Sequence, residues 1–365
     1  MLKNILYDIK YVEIYSGGID LKKNIKNYTL EDLKEELKNI GEKPFRAEQI
    51  FKWLYESKVQ SFDEMTNLSK KSIIALKENF VIEHLNLKTK YVSKDGTVKY
   101  LFELKDGNLI ETVLMRHNYG NSVCVTSEVG CNMGCSFCAS GELGCIRKLT
   151  LSEMVLQVLY VDNELNKENE RVSNIVVMGI GEPFDNYETL LKFLRTVNYA
   201  KGLEIGARHI TVSTSGIVPK IYEFAEFPLQ INLAISLHAA TNELRSKIMK
   251  INKVYPIEEI MKAIDYYLEK TNRRVTFEYI LLKGINDTEE CALELAKLVR
   301  GLNCYINLIP YNETNNIDFK RSSTIQIMKF YDILKKNKIS VTIRREFGSK
   351  ISAACGQLRS KKEDL

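Results

Sequence analysis

Three cysteines lie close together in this 365-residue sequence, at Cys131, Cys135 and Cys138. A four-iron cluster normally takes four cysteine ligands, so three thiolates from one loop leave one iron with an open coordination site. A chelating amino acid can fill that site through its amino and carboxylate groups. Radical chemistry on S-adenosylmethionine needs this arrangement, because an electron must pass from the cluster to the sulfonium. The spacing therefore predicts a [4Fe-4S] cluster with three protein ligands.

The residue types alone leave more than one role open for the cysteines. Structural zinc prefers four ligands, usually in two pairs, and the chain has no second CxxC. A further thiol, Cys124, lies in the apolar segment SVCVTS, where a small buried hydrophobe and a reactive nucleophile are both reasonable. Cys355, in the segment AACG, has the same ambiguity.

The composition sets the class of protein. No apolar run approaches the length of a bilayer span, and the N-terminus MLKNILYDIK lacks the apolar region of a signal peptide. We therefore expect a cytoplasmic protein without a membrane partner, in which clustered cysteines indicate metal binding or catalysis before structural disulfides. The formal net charge of +5 permits a polyanionic partner without requiring one.

The N-terminal part has a helical pattern. Thr29-Leu-Glu-Asp32 has the form of a capping box that opens a helix. Ser61 and Glu64 repeat this signature before another helical stretch that ends near Phe80. We predict a small helical domain over residues 29–85, a candidate for RNA binding, which follows an N-terminal extension over residues 1–28.

The remaining sequence is rich in strand signals. A β linker with turns at Asp95-Gly96 and Asp106-Gly107 is predicted over residues 86–120. Short apolar strands then alternate with amphipathic helical patterns over residues 121–348, and a tail follows over residues 349–365. Such alternation is typical of a parallel sheet with crossover helices. The fold class is therefore α/β, a partial or complete (β/α) barrel with a small N-terminal helical domain and a β-hairpin linker. The seven predicted barrel strands are SVCVTS, SNIVVMG, HITVSTS, INLAISLH, VTFEYILL, CYINLIP and ISVTIRR.

Polar segments follow four of these strands, at the end of the barrel where active sites are built. Turn formation alone would also account for any one of them, because Gly, Pro, Ser and Asn favour turns. Four in register favour a binding site. The segments are Gly181-Glu182-Pro183, Ser213-Thr214-Ser215-Gly216, Ser236-Leu237-His238 and Pro310-Tyr311-Asn312.

Several motifs together resemble a known family. They are CxxxCxxC followed by ASG, then VVMGIGEP, STSGIVP, SLHAATNELRSKIM, NLIPYN and AACGQL. In this combination, from about Thr29 to Leu358, the sequence resembles the RlmN-type dual-specificity adenine carbon-2 methyltransferases of 23S rRNA and tRNA, which are radical SAM enzymes. The resemblance implies a partial (β/α) radical SAM barrel that binds the cluster and S-adenosylmethionine.

The resemblance also implies catalytic roles for three residues. Cys355 matches the cysteine that first receives a methyl group from one S-adenosylmethionine, while a second S-adenosylmethionine supplies a radical that activates this methyl group. The protein then becomes covalently linked to its RNA. Cys124 matches the cysteine that attacks the sulfur of Cys355 to leave a disulfide and free the methylated RNA. Glu111 matches the proposed acceptor of the adenine proton.

The family match assigns the remaining contacts as well. Residues of the strand-end segments are implied to bind S-adenosylmethionine, and they are Gly181, Glu182, Ser213, Ser236, Leu237, His238 and Asn312. Carboxylate, hydroxyl and amide groups suit an ammonium and a ribose, and a glycine permits close approach of the backbone. The implied partners are 23S rRNA, tRNA and an electron donor such as flavodoxin, and we expect a monomer.

Some features depart from the family pattern, and two rival functions remain. Cys145 stands where an aromatic residue is usual, and Lys250 replaces a usual proline. The related Cfr-type enzymes, which place a methyl group on carbon 8 of the same rRNA adenine and confer antibiotic resistance, share the cluster and both cysteines. Pro183 fits the carbon-2 group, since the carbon-8 group typically has alanine there. A non-catalytic RNA-binding protein with a structural metal is the rival from another class.

Overall fold

The fold was established from a computed structural model of the chain. The residues that it describes are 22–142, 144–314, 317–345, 347–348 and 351–358. Most of the predicted N-terminal extension, residues 1–21, lies outside these ranges, as do residues 359–365 of the predicted tail.

A small helical module comes first. The Thr29 hydroxyl accepts a hydrogen bond from the Asp32 N–H, and the Asp32 carboxylate accepts one from the Thr29 N–H, so the predicted first capping box is confirmed. The prediction at Ser61 is wrong in extent, because that box opens only a 3-10 turn and the next helix begins after the Ser69 cap. The elements of the module are β1 (Lys23–Asn24), α1 (Leu30–Asn39), α2 (Arg46–Tyr55), α3 (Lys70–Asn79) and β2 (Phe80–Val81).

The rest of the chain is built on a ten-stranded sheet. Its strands are β3 (Asn86–Val92), β4 (Val98–Glu103), β5 (Leu109–His117), β6 (Gly120–Cys124), β9 (Val172–Val177), β10 (Ile210–Thr214), β11 (Asn232–Ser236), β12 (Val275–Leu281), β13 (Cys304–Pro310) and β14 (Val341–Ile343). The spatial order is β14-β13-β12-β11-β10-β9-β6-β5-β4-β3. Strands β3 to β6 pair antiparallel, and β6 and β9 to β14 pair parallel. Both predicted turns, at Asp95-Gly96 and Asp106-Gly107, join antiparallel strands of this sheet, so the segment predicted as a linker continues the barrel sheet.

Helices follow the parallel strands as the alternating pattern predicts. They are α4 (Leu151–Asn166), α5 (Tyr187–Asn198), α6 (Val218–Ala225), α7 (Asn242–Ile248), α8 (Ile257–Thr271), α9 (Glu289–Leu298) and α10 (Thr324–Lys336). Their apolar faces and the helix-facing side of the sheet form one large core that also includes the N-terminal module. None of the helices in the described part of the chain has the length and apolar character of a membrane span.

The sheet is curved into a partial barrel. Ser122 of β6 and Thr342 of β14 line one central cavity, although five strands separate them in the sheet. The segment after β14 crosses the gap between these strands: the Gly348 N–H donates to Asp95, and the Ser140 hydroxyl donates to the Leu358 carbonyl. The tail therefore covers the open side of the barrel.

A short hairpin, not predicted from the sequence, lies above the sheet. It consists of β7 (Glu128–Cys131) and β8 (Gly144–Lys148). Cys131 ends its first strand, and Cys135 and Cys138 follow in the loop. The hairpin thus places the cysteine cluster over the carboxyl ends of the parallel strands.

Candidate active site

One open cleft at the carboxyl ends of the strands contains most of the predicted site. Its open volume is about 830 Å³, which includes space open to solvent. The predicted site residues that line it are Cys131, Cys135, Cys138, Gly181, Glu182, Ser213, Ser236, His238 and Cys355. The fold thus joins the cysteine loop, three strand-end segments and the C-terminal tail in one place.

The segment after β9 is held by close backbone packing. Gly181 has φ +104°, and a Cβ atom there would lie 2.6 Å from Cβ of Glu128. The buried Glu182 carboxylate accepts hydrogen bonds from the N–H groups of Phe184 (3.0 Å) and Ser215 (2.7 Å). The side chain of Glu182 thereby ties the end of β9 to the end of β10.

A fully buried arginine that was not singled out from the sequence supports the same strand ends. The Arg245 guanidinium donates to the carbonyl oxygens of Ser215 (2.6 Å) and Ser236 (3.1 Å). It also donates to Oδ1 of Asn252 at 3.0 Å. Burial lowers the pKa of Arg245 to about 10, which leaves it charged at neutral pH. Arg245 therefore adds positive charge beside the cysteine loop while it fixes the cleft wall.

His238 lines the cleft with a side chain that already has a structural partner. Its Nδ1 atom accepts a hydrogen bond from the Ile280 N–H at 3.1 Å, and its backbone has φ +59°. Burial, with a contribution from Arg245, lowers the pKa of His238 to about 3, so the ring is neutral at neutral pH. The ring packs edge to face against Phe137 of the cysteine loop, at 4.9 Å between ring centroids.

The three clustered thiols belong to this loop and are partly buried. Burial raises the pKa of each, to about 12 for Cys135, so iron binding at this site requires the thiols to lose protons. Within the described ranges, no three His, Cys, Asp or Glu side chains converge as the ligands of a single metal ion would. A four-iron cluster has a different requirement, because each cysteine ligates a different iron. Three thiols along the wall of an open cleft fit that group.

A second, smaller pocket brings together the two cysteines outside the cluster. Cys124 and Cys355 both line it, although they are 231 positions apart in the sequence. Burial and the neighbouring Cys355 raise the pKa of Cys124 to about 12, and the Arg344 guanidinium opposes this effect. Arg344 also forms an ion pair with the buried Glu278, at 3.6 Å between Nη1 and Oε2. Cys355 lines the main cleft too, so it stands between the two pockets.

Glu111 lies on β5, on the same face as Val113, which packs with Cys124. The buried Glu111 carboxylate forms an ion pair with Lys99 of β4 at 2.9 Å. Lys99 also donates to the Ser352 carbonyl of the tail at 3.4 Å. Lys99 therefore connects the proposed proton acceptor with the segment that carries Cys355.

Two predicted cofactor residues lie outside the main cleft. The Leu237 side chain is buried in the core, and its backbone N–H and carbonyl groups bond with Glu278 and Arg245. Asn312 lines the pocket of the two cysteines, and its amide nitrogen donates to the Cys355 carbonyl at 3.4 Å. No described residue donates to the buried Oδ1 of Asn312, so this atom can accept a hydrogen bond from a bound molecule.

Comparisons with known proteins agree with this geometry. The model of the ribosomal RNA large subunit methyltransferase N-terminal domain matches residues 23–82, and the Radical SAM superfamily model matches residues 126–296. The probable dual-specificity RNA methyltransferase RlmN of Geobacillus kaustophilus is 59% identical over 338 residues, which is 93% of each chain. The chain belongs to the RlmN family. The Spiroplasma citri member of the RlmN family is 56% identical over 342 residues, 94% of this chain and 99% of its own.

A solved structure from the superfamily confirms the predicted fold. The crystal structure of a radical SAM methyltransferase from Sphaerobacter thermophilus matches with a TM-score of 0.89 and 44% identity, over 93% of this chain and 100% of that chain. Membership of the RlmN family implies a [4Fe-4S] cluster and S-adenosylmethionine, and the cleft described above fits both.

Sequence reasoning missed several charged residues of the site. Lys99 and Glu278 lie on strands, Arg245 lies on a helix and Arg344 directly follows β14. Nothing in a linear pattern shows that they meet. One signal was available: Glu278 interrupts the otherwise largely apolar strand β12, and a buried charge in such a segment needs a partner nearby.

Proposed function

We propose that this protein methylates carbon 2 of an adenine in 23S rRNA and in tRNA, by way of an S-methylcysteine and a covalent protein–RNA adduct. The observation that carries the proposal is the shared pocket of Cys124 and Cys355, which opens beside the cleft of the three clustered cysteines. A purely structural metal site does not require two further cysteines in a pocket beside it. The names of the relatives support RNA as the substrate.

In this proposal the main cleft holds the cofactors. Cys131, Cys135 and Cys138 would hold the cluster, and the strand-end segments at Glu182 and Ser236 would bind S-adenosylmethionine, of which two molecules would be used per turnover. When bound, these groups supply the electron, the methyl group and the radical that the reaction needs. Because the Glu182 carboxylate is bonded to two N–H groups, we expect the main chain around it to contact the methionyl amino group.

The chain's own residues then perform the remaining steps. Cys355 accepts the methyl group on Sγ, and this carbon later joins carbon 2 of the adenine. The Glu111 carboxylate, paired with Lys99, accepts the proton that leaves carbon 2. The Cys124 thiolate attacks Sγ of Cys355, so that a sulfur–sulfur bond forms while the sulfur–carbon bond breaks. The electron pair of the broken bond passes to the methylene carbon and the adenine ring, this carbon takes up a proton to become the methyl group, and the RNA leaves.

The variant Cys124→Ala tests this proposal. We expect a covalent protein–RNA adduct to accumulate, because nothing cleaves the sulfur–carbon bond. The adduct should appear as a slowly migrating band on a denaturing gel, and RNase treatment should increase its mobility. The adduct should vanish in the double variant Cys124→Ala, Cys355→Ala. Cys145→Ala, which removes a nearby thiol of the hairpin, is the matched control and should form no adduct. Normal turnover by Cys124→Ala would refute the resolving role.

The position of the methyl group distinguishes the two related chemistries. Pro183 favours carbon 2, and it lines the cleft beside Glu182. Mass mapping of adenine modified by the purified protein gives the answer directly. A methyl group on carbon 8 would assign the protein to the Cfr-type reaction instead.

We also propose the cellular setting of this reaction. The protein would act in the cytoplasm as a monomer and take electrons from a donor such as flavodoxin. The helical domain over residues 29–85 would bind RNA, and residues 349–365 would form the tail that carries Cys355.

A further inference from the structure

The interior of the partial barrel is an open cavity, which polar and apolar side chains line together, rather than a packed core. It encloses about 1360 Å³ of empty space, part of it open to solvent. Complete barrels of this class are filled by branched apolar side chains. Here the hydroxyl and amide side chains of Ser122, Thr211, Thr276, Asn307 and Thr342 line the lumen. All five lie in the amino-terminal halves or at the centres of their strands, on the side away from the cofactor cleft.

The lumen leads to the pocket of the two cysteines. Met115, Met178, Arg344, Arg345 and Phe347 line both spaces, so the two spaces adjoin along these side chains. In the proposed function, the cofactors occupy the carboxyl end of the barrel. The tail covers the side of the barrel. It is held there by hydrogen bonds from Lys99 to the Ser352 carbonyl and from the Ser140 hydroxyl to the Leu358 carbonyl. A large substrate therefore reaches Cys355 through the amino-terminal mouth of the lumen.

Aromatic side chains stand at that mouth. Asn118 and Tyr119 form the two-residue turn between β5 and β6, and Tyr119 is 74% exposed, the highest value among the large hydrophobic residues of the described ranges. Its ring stacks on His117 at 4.6 Å between centroids and 12° between planes. Phe347 meets His117 edge to face at 4.6 Å, and the Arg345 guanidinium lies over Phe347 at 5.3 Å. We call His117, Tyr119, Phe347 and Arg345 the rim cluster.

The rim cluster has the chemistry of a base-stacking surface. Two-residue turns favour Gly, Asn and Asp, so a solvent-exposed tyrosine there is not explained by turn geometry. Burial, with Arg345 and Arg344, lowers the pKa of His117, which keeps its ring neutral beneath the Tyr119 ring at neutral pH. Successive bases of single-stranded RNA stack on such aromatic faces, and an adjacent arginine pairs with phosphate.

We infer that RNA enters through the amino-terminal mouth of the barrel and that Tyr119, supported by His117, stacks on a base next to the target adenine. This inference rests on the proposed function. An enzyme that modifies a ring carbon must extrude the nucleotide from its helix, which loses base stacking. Stacking of the adjacent base on Tyr119 at the mouth offsets this loss. From Gly120 to Cys124 the strand rises about 13 Å at 3.3 Å per residue, a depth on the order of one extruded nucleotide.

The test measures RNA binding by Tyr119 variants. The probe is a tRNA transcript that the wild-type protein methylates, with 2-aminopurine next to the mapped target adenine. Wild-type protein should change the 2-aminopurine fluorescence as the base stacks. Tyr119→Ala should abolish most of this change and weaken Kd by about tenfold, with a rise in KM larger than the fall in kcat. Tyr119→Phe, which keeps the ring, should restore both.

Controls separate this inference from the proposed function. Ile325→Ala removes an equally exposed apolar side chain on α10 and should leave Kd unchanged. Methylation of Cys355, followed by the mass of the tryptic peptide without RNA, should be normal in Tyr119→Ala. Wild-type Kd and wild-type fluorescence in Tyr119→Ala would overturn the stacking surface, even where RNA is methylated. Absence of RNA methylation by the wild-type protein would overturn the proposed function instead.

Discussion

At the scale of single residues, the pair Cys124 and Cys355 poses a problem of protonation. Only the thiolate attacks sulfur, yet burial raises the pKa of Cys124 to about 12. Below that pKa, the thiolate fraction rises about tenfold for each pH unit. Arg344 is the cationic side chain that stabilises the thiolate, and it is held in place by Glu278.

We therefore predict that the rate of Cys124 alkylation by iodoacetamide rises about tenfold per unit between pH 7 and pH 9, as measured by peptide mapping of the cluster-free protein. Arg344→Met should lower the rate at pH 9 by about tenfold, the effect of one pKa unit. Arg344→Lys, which keeps a positive charge, should lose less. A rate that is flat between pH 7 and pH 9 would show that the thiolate is already formed at neutral pH.

At the scale of elements, the loop after β9 depends on a glycine. An alanine Cβ at Gly181 would lie within 2.8 Å of three atoms of Glu128 and Ser127, and the φ of +104° is itself unfavourable for alanine. We expect Gly181→Ala to displace the loop and to weaken S-adenosylmethionine binding by about tenfold or more, measured by calorimetry, with about 1–3 kcal/mol of lost stability.

The control for this change is Gly301→Ala. Gly301 also has a positive φ, of +85°, but an added Cβ has no neighbour within 4 Å, and the residue lies at the turn after α9. Gly301→Ala should therefore cost some stability and leave S-adenosylmethionine affinity unchanged. Equal loss of affinity in both variants would show that backbone strain alone, and not the contact with Glu128, decides the effect.

Much of this architecture could be predicted at the level of elements. The seven apolar segments all became strands of one sheet, because period and length identify short buried strands reliably when turn residues bound them. The order in which polar segments follow those strands was sufficient to place Gly181, Ser213, Ser236 and His238 in one cleft. The start of α3 was predicted too early, because the Ser61 box is satisfied by a single 3-10 turn.

What the sequence could not show depends on long-range contacts. Local patterns do not reveal that Lys99 reaches Ser352, or that Arg245 bonds the ends of two strands that lie earlier in the chain. His238 was predicted as a cofactor contact. In the structure its Nδ1 atom accepts a hydrogen bond from the Ile280 N–H, which gives this side chain a structural role. The pairing of Cys124 with Cys355 came from family resemblance, and the spacing alone left it open.

At the scale of the whole molecule, the helical module and the barrel are joined by ion pairs of two kinds. Lys58 of the module pairs with Asp162 of α4, and both side chains are mostly buried, with 13% and 8% exposed. Asp162 also accepts a hydrogen bond from the Val172 N–H of β9 at 2.7 Å. Lys201 pairs with Glu48 across the same two parts, but these side chains are 63% and 44% exposed. We expect the buried pair to contribute more than the exposed pair to the attachment of the module to the barrel.

We predict that Lys58→Met destabilises the attachment of the module by about 3–5 kcal/mol, because it leaves the Asp162 carboxylate buried beside one fewer cation. Lys201→Met, the matched surface control, should cost less than about 1 kcal/mol. Trp53, the single tryptophan of the chain, lies on α2 and reports the module in urea unfolding. In Lys58→Met the fluorescence transition should move to lower urea and separate from the circular dichroism transition of the barrel helices. If both variants shift the Trp53 transition equally, the buried pair does not secure the module, and the shared apolar core does so alone.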